Sequence, residues 1–206
     1  MKTASLISMM IFLSGLQSPA RRDPRPIILA FGDSLTAGYG VRPPEGYPAL
    51  LQRKLDERGY KYQVVGMGIS GDTTSGGRAR MKAALQRKPT LVILELGAND
   101  GLRGLPVAQM QTNLEAMIKD FQGAGAKVVL AGMTLPRNYG LGYLISFENT
   151  FRDLAKKHNT ALIPFFLEGV AGDPKYTLDD LIHPNAAGYV RVTDIVLKTL
   201  EPLLRK

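Results

Sequence analysis

Cysteine is absent from this chain, which excludes disulfides, thiolate metal sites and a lipid-modified cysteine behind a leader. Histidine is nearly as scarce. Only His158 and His183 are present, so chemistry that needs an imidazole base has two candidates. An apolar run from Leu6 to Leu16 is about half of the roughly 20 residues that a membrane span needs. No internal repeat or low-complexity tract is visible, and the basic residues form no stripe interleaved with aromatics, which argues against nucleic acid as a partner.

The 206 residues are 45% hydrophobic and 21% charged, the make-up of one globular domain with a real core. Residues 1–20 stand apart. Lys2 is their only charge, and Ser18-Pro19-Ala20 offers small residues where a signal peptidase would cut. They read as a signal peptide cleaved near Ala20, leaving 21–206 as a single domain that is exported, periplasmic or secreted, with no stable membrane span. The net charge of +8 favours acidic surfaces such as anionic lipid. That signal is weak, because Arg78, Arg80, Lys82, Arg87 and Lys88 along one helix, and Lys156 and Lys157 along another, read as solvated faces.

From Pro26 onward, β-rich runs alternate with amphipathic segments. The runs are PIILAF (26–31), YQVV (62–65), LVILEL (91–96), KVVLAG (127–132) and ALIPFF (161–166). Met110, Leu114, Met117, Ile118 and Phe121 recur at helical spacing behind Pro106, and Val192, Ile195, Val196, Leu200 and Leu203 share a face after Pro184. Apolar strands joined by helices imply a three-layer α/β/α domain with a five-stranded parallel sheet, in the flavodoxin-like order 2-1-3-4-5. Ligands in such folds bind at the carboxyl ends of the strands. There the unusual segments collect: GDSLTAG, GISGDTT, GAND, TLPRNYG and DDLIHP.

Ser34 stands in the first of these, either as an ordinary turn residue or as a nucleophile. His158 falls where a helix should end and suits the carbonyl end of its dipole. His183 lies on the carboxyl edge before Pro184, which biases its backbone toward extended geometry. Asp180, three residues earlier, can fold back onto one imidazole nitrogen while the other faces Ser34. Asp179 is out of phase for that and suits a capping or solvated role. The loops after strands two and three carry Gly71 and Asn99, which could supply N–H donors to an oxyanion beside Ser34, or simply form turns.

Gly-Asp-Ser-Leu at 32–35, Gly71 in GISGDTT, Gly97-Ala98-Asn99-Asp100 and Asp180-x-x-His183-Pro184 together resemble the four signature segments of the SGNH (GDSL) hydrolases. GANDGLRG, LPRNYG, IPFFLE and DDLIHPN resemble the acyl-CoA thioesterase I, lysophospholipase and arylesterase branch of that family. The resemblance implies a serine esterase or thioesterase, working through an acyl-enzyme without cofactor or metal. It implies Ser34 as nucleophile, His183 as base and then acid, and Asp180 as its orienting partner. The oxyanion hole it implies comprises the N–H groups of Ser34 and Gly71 and the side chain of Asn99. It further implies that Gly101, Leu102, Arg103, Gly104 and Leu105 form a mobile lid over the acyl chain, with Leu102 and Leu105 on the substrate and Tyr139 a further pocket candidate. The expected partners are small acyl esters or thioesters, lipids among them, and the chain is expected to act as a monomer.

Three other readings compete. A carbohydrate acetylesterase would share the fold and the triad. A non-catalytic exported binding domain would keep the scaffold alone. Gly66-x-Gly68-x-x-Gly71 after a strand, with Glu95 beyond, is formally a dinucleotide fingerprint, although it follows the second strand and Asp72 would crowd a pyrophosphate.

Overall fold

A computed structural model describes residues 23–206, so the signal-peptide expectation for residues 1–20 lies outside the described residues. The apolar runs become five strands: β1 (Ile27–Gly32), β2 (Gln63–Gly68), β3 (Leu91–Glu95), β4 (Lys127–Ala131) and β5 (Ala161–Ile163). All pair in parallel, in the expected order β2-β1-β3-β4-β5. The eight helices among the described residues are α1 (Ser34–Ala37), α2 (Tyr47–Glu57), α3 (Thr74–Ala79), α4 (Met81–Gln86), α5 (Ala98–Leu102), α6 (Val107–Gly123), α7 (Leu141–His158) and α8 (Ala186–Leu200).

Chain direction sorts these helices into two layers. The crossover from β1 back to β2 sets α2 on one face, and the outward steps to β3, β4 and β5 set α3, α4, α6 and α7 on the other, because such crossovers are right-handed. The last helix, α8, packs on α2, while α6 packs on α3 and α7. Strand β3 is buried along its whole length, and the Phe31 and Phe121 rings meet edge to face at 5.6 Å between sheet and α6. Replacing Phe121 with alanine would cost about 3–5 kcal/mol by leaving a cavity there. No helix among the described residues is long and apolar enough to cross a membrane.

Three local expectations need correction. The run at 161–166 yields a strand only to Ile163, since Pro164 has no N–H for a ladder. Strand β2 is half-exposed rather than buried like the other apolar runs, because it lies at the sheet edge. The basic segment at 78–88 is two short helices meeting at Arg80, and Arg80 is no solvated residue. Its guanidinium pairs with Asp72, donates to the carbonyls of Met67 and Gly32 at 2.7 Å each, and stacks on Phe31. Arg80 therefore ties the ends of β1 and β2 together beside the turn that carries Ser34.

Gly68 excludes the dinucleotide reading. A Cβ there would lie 2.2 Å from the Ala37 nitrogen and 2.7 Å from the Asp33 carbonyl oxygen. The glycine thus admits the protein's own α1 turn, which fills the space a pyrophosphate would need.

Candidate active site

Strand β1 ends at Gly32, and the next residue caps α1: the Asp33 carboxylate accepts from the Leu35 N–H at 3.1 Å. Ser34 is consequently the first residue of a helix at the carboxyl edge of the sheet. Its Oγ is 2.9 Å from His183 Nε2. His183 comes from the irregular segment between β5 and α8, which is held in place by backbone pairing. Leu178 N–H donates to the His183 carbonyl at 2.8 Å, Thr177 bridges Pro184, and Asn185 caps α8 through the Gly188 N–H.

Asp180 folds back as its spacing predicts, and the price is a leucine in the left-handed region: Leu181 has φ 58°. One Asp180 oxygen accepts the N–H groups of Ile182 and His183, both at 2.9 Å, and the other lies 2.5 Å from His183 Nδ1. Partial burial raises the Asp180 pKa, but the hydrogen bonds from the imidazole and the two N–H groups outweigh it and leave the pKa below the usual aspartate value. An ionised Asp180 keeps the proton on Nδ1, so Nε2 presents its lone pair to Ser34. Tyr39 covers the imidazole, ring centroids 4.6 Å apart. Asp179 is exposed, and His158 ends α7 with its ring 3.3 Å from Glu115, remote from this edge.

The N–H groups of Ser34 and Gly71 have no acceptor among the described residues and are available to an oxyanion. Asn99 differs from expectation. Its carboxamide N–H groups already donate to Asp33 Oδ2 and to the Asp72 carbonyl, both at 3.0 Å, so one must be redirected or shared before Asn99 can bind a developing charge. Further bonds stitch the same loops together. Asp100 accepts from the Thr74 N–H and hydroxyl, and Arg103 donates to the Gly71 carbonyl at 2.8 Å.

A cavity of about 540 Å³ opens from Ser34, Asn99 and His183, with Leu102, Met133, Leu135, Pro136, Phe165 and Ile182 in its walls. A second depression of about 520 Å³ lies behind α1 against β2, and no ionisable side chain lines it. Leu102 faces the first cavity as expected, but Leu105 and Tyr139 do not line it. Leu105 points outward, 38% exposed, and its carbonyl accepts from the Tyr143 hydroxyl at 2.7 Å. Tyr139 instead holds the loop from below, its hydroxyl donating to the Leu102 carbonyl at 2.8 Å.

Gly101 is likewise not the hinge of a free lid. It is buried in α5, where a Cβ would lie 2.6 Å from Phe147 and 2.7 Å from Leu135. The segment is a short helix seated on the core. Met133, Leu135 and Phe165 escaped sequence reasoning because apolar residues just past a strand look like core, although their place at the carboxyl edge was a usable signal. Tyr139→Phe removes one hydrogen bond, worth about 1 kcal/mol. The expected result is a melting temperature lowered by about 2–4 °C in a thermal unfolding scan.

Known proteins resemble this chain over most of its length. Residues 30–191 match the model of the GDSL-like Lipase/Acylhydrolase family. Esterase TesA of Pseudomonas aeruginosa is 47% identical over 178 residues, covering 86% of this chain and 89% of that protein. Thioesterase 1/protease 1/lysophospholipase L1 of Escherichia coli K12 is 40% identical over 178 residues, covering 86% and 84% respectively. The psychrotrophic esterase EstA from Pseudoalteromonas sp., solved in a form inhibited by monoethylphosphonate, superposes with a TM-score of 0.82 at 38% identity, over 86% of this chain and 97% of that one.

Proposed function

Because this chain belongs to the GDSL-like lipase/acylhydrolase family and is an SGNH-type esterase/thioesterase, we propose that Ser34, His183 and Asp180 are its catalytic triad. The carrying observation is the line Ser34 Oγ, His183 Nε2, His183 Nδ1, Asp180 Oδ2, with contacts of 2.9 and 2.5 Å at the mouth of an apolar cavity. Ser34 Oγ attacks the acyl carbonyl while His183 takes its proton, and Asp180 stabilises the resulting imidazolium. The oxyanion is met by the N–H groups of Ser34 and Gly71 and by a redirected Asn99 N–H. His183 then protonates the departing alkoxide or thiolate, leaving an acyl-Ser34 ester. Water, deprotonated by the same imidazole, releases the carboxylic acid.

The substrate is a small acyl ester or thioester whose acyl chain runs along Leu102, Leu135 and Phe165, and single-chain lipids fit that description. Each methylene buried there gains up to about 0.8 kcal/mol, so catalytic efficiency climbs with chain length, which an acetylesterase would not show. Residues 1–20 support export to the periplasm or outside the cell.

Labelling with a fluorophosphonate tests the nucleophile, since only an activated serine reacts. Rates across p-nitrophenyl esters from acetyl to palmitoyl, with an acyl-CoA and an acetylated sugar alongside, test the substrate class. Leu102→Ser is expected to lower kcat/KM for octanoyl and longer esters about tenfold, roughly 1.4 kcal/mol, while acetyl hydrolysis changes less than threefold. Leu105→Ser, outside the cavity, leaves that ratio unchanged. Equal losses on acetyl and octanoyl esters in folded Leu102→Ser would instead favour the acetylesterase.

A further inference from the structure

Beneath Ser34 lie two carboxyl groups that the proposed reaction does not use. Glu95, at the end of β3, is 0% exposed and Asp33 is 1% exposed, and no Lys or Arg among the described residues pairs with either. Glu95 Oε1 is buried with no N–H or O–H donor bonded to it among the described residues, and the Asp33 carboxyl group is its neighbour. Glu95 Oε2 accepts the Asp33 N–H at 3.2 Å and the Thr36 hydroxyl at 2.7 Å, so it grips both ends of the turn around Ser34. Gly32 makes room for this: a Cβ there would sit 2.3 Å from that oxygen.

Two adjacent carboxylates in a dry site cannot both ionise, so one of them carries a proton. The donors decide which. Asp33 receives the Leu35 N–H at a helix start and the Asn99 carboxamide, and it feels the nearby His183, all of which favour an anion. The phenols of Tyr47 on α2 and Tyr189 on α8 also face the pair, and neither brings positive charge. Burial raises the Asp33 pKa to about 6, and burial together with the Asp33 charge pushes that of Glu95 well above the usual glutamate value.

We propose that Glu95 is a positioning residue that remains a neutral acid at working pH and donates to the Asp33 carboxylate, fixing the turn that carries Ser34 and keeping Asp33 as the anion that aims Asn99. The proposal rests on the reading of Ser34 as nucleophile, but its first test does not. Infrared spectra of the wild-type protein at about pH 8 should show the carbonyl stretch of a protonated carboxylic acid, shifted in D₂O and absent from Glu95→Gln. Glutamine can accept from Thr36 and Asp33 N–H and donate to the Asp33 carboxylate as the acid does, whereas alanine can do neither.

On p-nitrophenyl octanoate, Glu95→Ala is therefore expected to lose at least about tenfold in kcat with KM within twofold, and Glu95→Gln to recover most of that loss. Absence of the band in wild type, its survival in Glu95→Gln, or folded Glu95→Gln as slow as Glu95→Ala would each overturn the proposal. Should Glu95→Ala fail to fold, the spectra and the Glu95→Gln rates still decide. An active Ser34→Ala alongside an intact Glu95 band would fault the triad and leave the protonated Glu95 standing.

Discussion

Ser34→Ala is expected to fold with a melting temperature within a few degrees of wild type and to lose at least about a thousandfold in kcat on p-nitrophenyl esters. The substitution deletes one oxygen whose strong partner is His183, and the cap on α1 belongs to Asp33, so the turn survives. What disappears is the atom proposed to form the acyl-enzyme. Loss of a triad nucleophile costs on the order of 10⁶ in kcat, because histidine and aspartate cannot substitute for it. Residual turnover comes only from binding and the oxyanion donors. Ser34→Ala should also fail to react with a fluorophosphonate. A purified, folded variant that keeps more than about a hundredth of the wild-type rate would put the nucleophile elsewhere, with exposed Ser70 on the neighbouring loop the first to examine.

The two histidines should part completely. His183→Ala is expected to be as inactive as Ser34→Ala, since it removes the proposed base, which would take the serine proton and later give it to the leaving group. His158→Ala should keep kcat and KM within about twofold. Its imidazole sits near Glu115 at the end of α7, where it interacts favourably with the helix dipole at most, worth about 0.3–1 kcal/mol of stability. Thermal unfolding should therefore register His158→Ala more than catalysis does. Reversed phenotypes for the two variants would overturn the assignment of the base.

The sequence alone determined where chemistry could occur and which residue types could perform it. Strand runs alternating with amphipathic helices dictate a parallel sheet, and a parallel sheet sends every segment that follows a strand to one edge. That rule brought Ser34, Gly71, Asn99 and His183 together although they are scattered from residue 34 to residue 183. With two histidines, one at a helix end, His183 was the better candidate for a base, and the three-residue step from Asp180 to His183 is local geometry that spacing can express.

Tertiary structure decided what each side chain faces. Glu95 stood in the sequence only as the acidic residue beyond a formal dinucleotide fingerprint, yet it is buried against Asp33, 62 residues earlier in the chain. Arg80 read as a solvated helix residue, yet it binds the carbonyl of Gly32, 48 positions away. Leu102 ends α5 and Leu105 follows three residues later, and only Leu102 reaches the cavity, with Tyr139 and Tyr143 holding the two carbonyls. Periodicity records a residue's phase within its own element. Burial, protonation and the direction of a donor depend on which distant element packs against it, and only the folded chain settles that.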